Sequence, residues 1–141
     1  MAAQDNGSAL HVELVAADRV VWSGEAEMVI ARTTEGDVGV LPGHTPMLSL
    51  LVDAVVEIIT TGDEIVFAVA DGGFLSVADN RVSILSPHAL LSHEIDVDAA
   101  RADLEEAYAI VEPSEAETHI RRAEARIRAA ERASAAAGRV S

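Results

Sequence analysis

Two stretches of this 141-residue chain bring together residue types that chemistry uses. The first is Gly36-Asp37-Val38-Gly39-Val40-Leu41-Pro42-Gly43-His44-Thr45. Its glycines resemble a backbone cradle for phosphate, but such a loop needs a Lys after its last Gly and another Gly five residues before that one. Here His44 takes the place of the Lys and Val38 that of the Gly. The second stretch holds His88, His93 and Glu94. A zinc-protease helix would carry its second His three residues after the Glu, where this chain has Val97. Gly72-Gly73 lacks the third glycine of a dinucleotide loop, and no Ser sits in a nucleophile-elbow pattern. Cysteine is absent, which excludes a disulfide scaffold, a thiol nucleophile and thiolate metal sites. These groups read as structural or solvated, so the chain is expected to have no active site, no metal and no tightly held cofactor of its own.

The elements that carry these residues fall into two halves with different periods. Leu10-His11-Val12-Glu13-Leu14 alternates apolar and polar residues, as a half-buried strand does. Val20-Val21-Trp22 and Met28-Val29-Ile30-Ala31 read as two further strands. Val55-Val56-Glu57-Ile58-Ile59 and Ile65-Val66-Phe67-Ala68-Val69 flank Thr60-Thr61-Gly62-Asp63-Glu64, a hairpin connection. Phe74-Leu75-Ser76-Val77 and Val82-Ser83-Ile84-Leu85 flank a second one at Asp79-Asn80-Arg81. Gly72-Gly73 predicts a bend or a close approach of two backbones. Short strands with short turns over 10–88 indicate an antiparallel sandwich or barrel, after a flexible segment 1–9.

From Asp96 the period becomes helical. Ala100, Leu104, Ala107 and Val111 form one apolar stripe, and Glu112-Pro113-Ser114 breaks the run. Ser114 with Glu117 predicts a capping box at the start of a second helix. That helix carries Ala116, Ile120, Ala123, Ile127, Ala130 and Ser134 as a seam. Helices over about 96–111 and 115–137 thus form an antiparallel hairpin across 96–138, and the fold class is α+β. An alanine seam buries little area at about 25 cal/mol per Å², so the hairpin is expected to open or detach at modest cost.

Charge divides the chain at the same place. All ten cationic residues are Arg, and the formal net charge is −14, which argues against nucleic acid or anionic lipid as a partner. Six arginines (Arg121, Arg122, Arg126, Arg128, Arg132, Arg139) lie in 120–141 against Glu124 and Glu131, so that tail carries +4 and the rest −18. Either the tail meets a separate acidic partner or it is attracted to its own body. No apolar run is long enough to span a bilayer, and the first eight residues lack the pattern of a secretory signal. A reducing cytoplasmic home is the simplest reading.

The loop that fails as a phosphate cradle still holds three glycines beside Pro42, His44 and Pro46, a rigid surface suited to docking. Glu35-Gly36-Asp37-Val38-Gly39-Val40-Leu41-Pro42-Gly43-His44-Thr45-Pro46-Met47-Leu48 resembles the signature segment of the epsilon-subunit family of F-type ATP synthases (delta in mitochondria). Trp22-Ser23-Gly24 and Val69-Ala70-Asp71-Gly72-Gly73-Phe74-Leu75-Ser76-Val77 match in the same order. The resemblance implies a β-sandwich followed by a helical hairpin. It also implies a non-catalytic central-stalk subunit, peripheral on the cytoplasmic side of the cell membrane, that couples the gamma shaft to the c ring. Glu35 and Asp37 are then candidates for meeting the c-ring loops, with His44 in the same region or bonded to nearby backbone. Val38, Val40 and Leu48 belong either to that surface or to the core.

In this family the hairpin regulates, either by extending along gamma into the head or by folding down and binding ATP. The resemblance makes Arg121, Arg122, Arg126 and Arg128 candidates for contacts with an acidic stretch of the beta subunits, part of the alpha/beta catalytic head. Val97-Asp98-Ala99-Ala100-Arg101-Ala102 matches the ATP-binding pattern only in a shifted register, and the further Arg two turns on is missing. Asp98 and Arg101 are therefore candidates for weak nucleotide binding only. The competing reading is a free-standing adaptor or ligand-binding sandwich whose basic helix docks on an acidic partner, and a histidine-based metal hydrolase stands third.

Overall fold

The computed structural model describes residues 9–140, so the flexible segment expected over 1–9 lies, apart from Ala9, outside the described residues. Two layers are built from β1 (Leu10–Val15), β2 (Val20–Thr33), β3 (Gly36–Val40), β4 (Met47–Leu51), β5 (Ala54–Thr60), β6 (Ile65–Ala70), β7 (Gly73–Ala78), β8 (Arg81–Leu85) and β9 (Ala89–Leu91). The strands run β1-β8-β7-β4-β2-β5-β6-β9, with β3 added on β2 and β1 closing back onto β2. All pairings are antiparallel except that of β1 with β8, which is parallel. Alternate residues of β1 (Leu10, Val12 and Leu14) turn fully inward and meet Val29, Val40, Ile58, Leu75 and Ile84 in one core.

The segments 20–22 and 28–31 are the two ends of one 14-residue strand, not separate strands. The first half of β2 pairs with β1 and the second with β3 and β5, with a register shift between Ala26 and Met28. That bulge bends the strand from one layer into the other. The glycine between them does not interrupt it, because a Cβ at Gly24 would stand 2.8 Å from the Trp22 ring that lies over it. The glycine-rich segment 36–45 is likewise only partly loop: β3 takes its first five residues, paired antiparallel with β2. Both hairpin turns form, with Asp63 in the first and Asp79 and Asn80 in the second at positive φ. At Gly73 the expected close approach is severe: a Cβ would lie 1.9 Å from the Leu85 carbonyl oxygen.

β5 and β6 are covered on both faces. Val56, Ile58, Ala68 and Ala70 point into the sandwich, while Val55, Phe67 and Val69 point outward under a helix. Their nearly unbroken apolar sequences follow from that double cover. β9 carries the sheet to Leu91, beyond the expected limit at 88, and a 3-10 turn (Ser92–Glu94) leads to the helices.

Helix α1 (Val97–Ala107) begins at the Asp96 cap, whose carboxylate accepts the Ala99 N–H at 3.0 Å. It stops four residues before 111, and helix α2 (Pro113–Val140) starts two residues before 115. Pro113 fits the first helical position because its fixed φ suits the helix and no N–H is needed there. The preceding Glu112 supplies the cap: its carboxylate accepts the Glu115 N–H at 2.9 Å and also the Ser114 hydroxyl. Ser114 therefore lies inside the first turn, and the expected box with Glu117 does not form.

The seam on α2 also differs from expectation. Ala123 is buried, but Ile120, Ile127 and Ala130 are only half-buried and Ser134 is exposed. A second stripe, Ala125, Ala129, Ala133 and Ala136, lies against Val55, Phe67, Val69, Leu90 and Ile95 of the sandwich side. Small residues on this face let the helix axis come close to the sheet, so α2 is held by its sandwich as well as by α1.

Candidate docking site

On the layer away from the helices, one row of the residues opposite the core positions is apolar where alternation predicts polar ones. Leu50 of β4 pairs with Phe74 of β7, and Phe74 with Leu85 of β8. Leu85 continues in register to the half-buried Val15 of β1, and Val15 to the exposed Val20 of β2. Leu50, Phe74 and Leu85 are 52%, 47% and 46% exposed, and Leu48 beside them is 70% exposed. Single exposed apolar residues need no explanation, but a contiguous row across several strands marks a surface that meets another molecule. The sequence carried a signal for this row in the adjacent pairs Leu50-Leu51, Phe74-Leu75 and Ile84-Leu85, one member facing each way. Of the three residues left between surface and core, Val40 is buried, Val38 is half-buried against the core, and Leu48 is exposed.

Glu35 and Asp37 lie at the tight turn between β2 and β3. The Glu35 N–H donates to the Thr33 hydroxyl oxygen at 3.1 Å, and that hydroxyl donates to the Gly36 carbonyl at 2.9 Å. Asp37 accepts from the Arg32 Nε across the strand pair at 2.8 Å, which holds its carboxyl below the ordinary range. Both side chains of that pair are more than half exposed, so it contributes little to stability. Gly36 at positive φ completes the turn.

His44 lies beyond the other end of β3, in a turn that its N–H closes by donating to the Leu41 carbonyl at 3.0 Å. Pro42 at the first central position and Gly43 at φ +88° at the second make it type II. The ring Nδ1 stands 2.6 Å from the Thr45 carbonyl oxygen, so His44 is bonded to nearby backbone. Among the described residues no hydrogen bond or ion pair joins His44 to Glu35 or Asp37.

Three of the four candidate regulatory arginines turn onto the chain's own sandwich. Arg126 grips Asp71 through two bonds, Nη1 to Oδ1 at 3.1 Å and Nη2 to Oδ2 at 2.8 Å. Arg121 donates to Asp53 at 3.0 Å, and Arg122 Nε stands 3.3 Å from the same oxygen without the alignment of a hydrogen bond. Asp53 lies between β4 and β5 and Asp71 between β6 and β7, with side chains only 6% and 5% exposed. Arg132 adds a bond to Glu57 at 2.8 Å, while Arg128 is exposed with no ion pair among the described residues. With the hairpin folded down, its positive face serves the attraction to its own body.

Asp98 and Arg101 are both exposed on α1. Neither lines the cleft of about 490 Å³ between the two helices, whose wall includes Asp103, Glu106, His119, Arg122 and Arg126. Two carboxylates face that space, and both its arginines are directed to Asp53 and Asp71. An anionic ligand there would meet repulsion and committed cations.

The arrangement is that of a closed sandwich with an apolar outer row, a turn-rich edge and a helical hairpin latched to its flank. Residues 9–92 match the family described as ATP synthase, Delta/Epsilon chain, beta-sandwich domain. The chain belongs to that family. Its relatives include the ATP synthase epsilon chain of Streptomyces avermitilis, 56% identical over 98 residues, which are 70% of this chain and 79% of that one. The epsilon chain of Rhodococcus jostii is 54% identical over 97 residues, covering 68% and 80%. Among solved structures, a chain of the Euglena gracilis mitochondrial ATP synthase (OSCP/F1/c-ring) superposes with a TM-score of 0.75 at 27% identity, over 83% of this chain and 78% of that one. A chain of the Tetrahymena thermophila mitochondrial ATP synthase central stalk and c-ring, 17% identical with a TM-score of 0.58 over 84% and 96%, shares the fold. No helix among the described residues is long and apolar enough to cross a membrane.

Proposed function

We propose that this chain is a non-catalytic central-stalk subunit of an F-type ATP synthase that couples the gamma shaft to the c ring during proton-driven ATP synthesis. The observation that carries the reading is the outward row Leu50, Phe74 and Leu85 on a sandwich of the delta/epsilon family. That row receives the gamma subunit, and the turns bearing Glu35, Asp37 and His44 meet the polar loops of the c ring. The chain has no active site of its own, holds no metal or tight cofactor, and reaches the cytoplasmic side of the cell membrane only through the complex. When the hairpin is released, Arg121, Arg122, Arg126 and Arg128 face acidic side chains of the catalytic head and slow ATP hydrolysis. Any ATP bound through Asp98 and Arg101 is bound weakly.

Phe74→Glu tests the docking row, since it places a charge at the centre of an apolar contact without touching the core. The variant keeps its fold by circular dichroism and binds gamma at least about 30-fold more weakly, the cost of losing a contact hot spot. Unchanged affinity for gamma refutes the reading. Truncation after Val111 raises ATP hydrolysis by the assembled enzyme, and unchanged hydrolysis removes the inhibitory role.

A further inference from the structure

Beyond the surfaces themselves, something must hold the turn at 41–44 in one orientation. Types I and II of a β-turn differ by a flip of the central peptide, here Pro42-Gly43, and a glycine at the second central position allows both. The Gly43 N–H is not used within its own turn. It donates instead to the side-chain oxygen of Asn80 at 2.7 Å, across 37 residues of sequence. A Cβ at Gly43 would meet nothing within 4 Å, so the glycine is not there to relieve crowding at that position.

Asn80 is itself firmly set. It occupies the β7–β8 turn at φ +63°, beside Asp79 at φ +51°, and its carbonyl accepts the His11 N–H of β1 at 2.7 Å. The turn thus anchors Asn80 to the sandwich through backbone and leaves the side chain to reach the neighbouring loop.

We propose that Asn80 is a positioning residue for the docking loop. Its amide oxygen captures the Gly43 N–H, fixes the Pro42-Gly43 peptide in the type II orientation, and thereby sets the direction in which the loop offers His44 and its neighbours to the c ring. This rests on the reading that the loop docks there.

Two substitutions separate the side chain from the backbone. Asn80→Gly keeps a residue suited to positive φ and keeps the backbone bond from His11, while removing the side chain and with it the acceptor for Gly43. Asn80→Asp keeps the acceptor. In the free chain, amide hydrogen exchange at Gly43 becomes about five- to tenfold faster in Asn80→Gly, as loss of one net hydrogen bond predicts. It stays at the parent rate in Asn80→Asp. In membrane vesicles carrying the whole complex, proton pumping per ATP hydrolysed falls in Asn80→Gly and is restored in Asn80→Asp.

Unchanged Gly43 exchange in Asn80→Gly overturns the proposal at its root. A freed Gly43 with normal pumping, while the paired change Glu35→Gln with Asp37→Asn impairs pumping, overturns the positioning role and leaves the docking reading standing. Normal pumping in both variants removes the docking reading and the positioning role with it.

Discussion

Changing Asp71 to Asn loosens the hairpin from the sandwich without unfolding either part. The carboxylate is 5% exposed and takes two bonds from an Arg126 guanidinium that is itself only 20% exposed. Bonds of this charged kind are worth about 1.5–3 kcal/mol. Both groups regain water when the helix lifts, which puts the net effect near the lower bound, about 1.5–2 kcal/mol. Besides the more exposed pairs of Arg121 and Arg122 with Asp53 and of Arg132 with Glu57, the helix is attached by the stripe Ala125, Ala129, Ala133 and Ala136 on Val55, Phe67 and Val69. At about 0.8 kcal/mol per buried methyl, with Ala125 and Ala129 fully buried and Ala133 and Ala136 half-buried, that stripe contributes about 2–2.5 kcal/mol before the cost of ordering. One ion pair is therefore comparable to much of the apolar contact. Losing about 1.5–2 kcal/mol makes opening about 10–30-fold more frequent, at a factor of ten for each 1.4 kcal/mol. Hydrogen exchange at Ala125 and Ala129 reads this directly, as it proceeds through local opening. The Arg126→Gln variant shows a similar acceleration, and adding it to Asp71→Asn produces little more, because both remove the same interaction. Unaltered protection in Asp71→Asn refutes the argument, as does full additivity of the two changes.

Two further outcomes follow from local geometry. Gly73→Ala forces a methyl to within 1.9 Å of the Leu85 carbonyl at a φ of +109°, so it lowers stability by more than about 4 kcal/mol; a urea midpoint equal to the parent's contradicts this. Glu94 accepts from Arg19 at 2.8 Å and from the Leu91 N–H at 2.9 Å, which holds its carboxyl below the usual 4.5. A carboxyl depressed by folding contributes its stability above the unfolded value and loses it as pH falls through the folded one. The stability difference between parent and Glu94→Gln is therefore full at neutral pH and vanishes on acidification well below about 4.5. A difference that stays constant down to about pH 3 overturns the assignment.

The strands legible in the sequence were those with one face in the core and a clear turn at the end. Leu10, Val12 and Leu14 alternate because β1 has water on one side, and the turns at Asp63 and at Asp79-Asn80 carry residues that tolerate positive φ. Where pairing rather than composition decides, the reading fell short. Gly24 and Glu25 look like an interruption, but β1 pairs with them and holds β2 continuous. Gly36 and Gly39 look like loop residues, yet their pairing with Thr33 and Ile30 makes them strand. The second apolar face of α2 was hidden because alanine marks no side of a helix: Ala123, Ala125 and Ala129 are all buried, against different neighbours. The arginines were conspicuous as a cluster, but their partners Asp53 and Asp71 are far away in sequence and lie in the connections between strands. The apolar row was written in adjacent large residues on three strands, and register alone joins them to one another and to Val15 and Val20 on two more.

The double cover of β5 and β6 has a cost that appears only when the hairpin leaves. Val55, Phe67 and Val69 would then face water as a bare wall, next to two carboxylates stripped of their counter-charges. Such a wall invites a second copy of itself, so a chain with its arm raised and no companion should clump as its concentration rises. The raised arm is thus a state for an assembled machine, where another surface can shelter what the arm left behind.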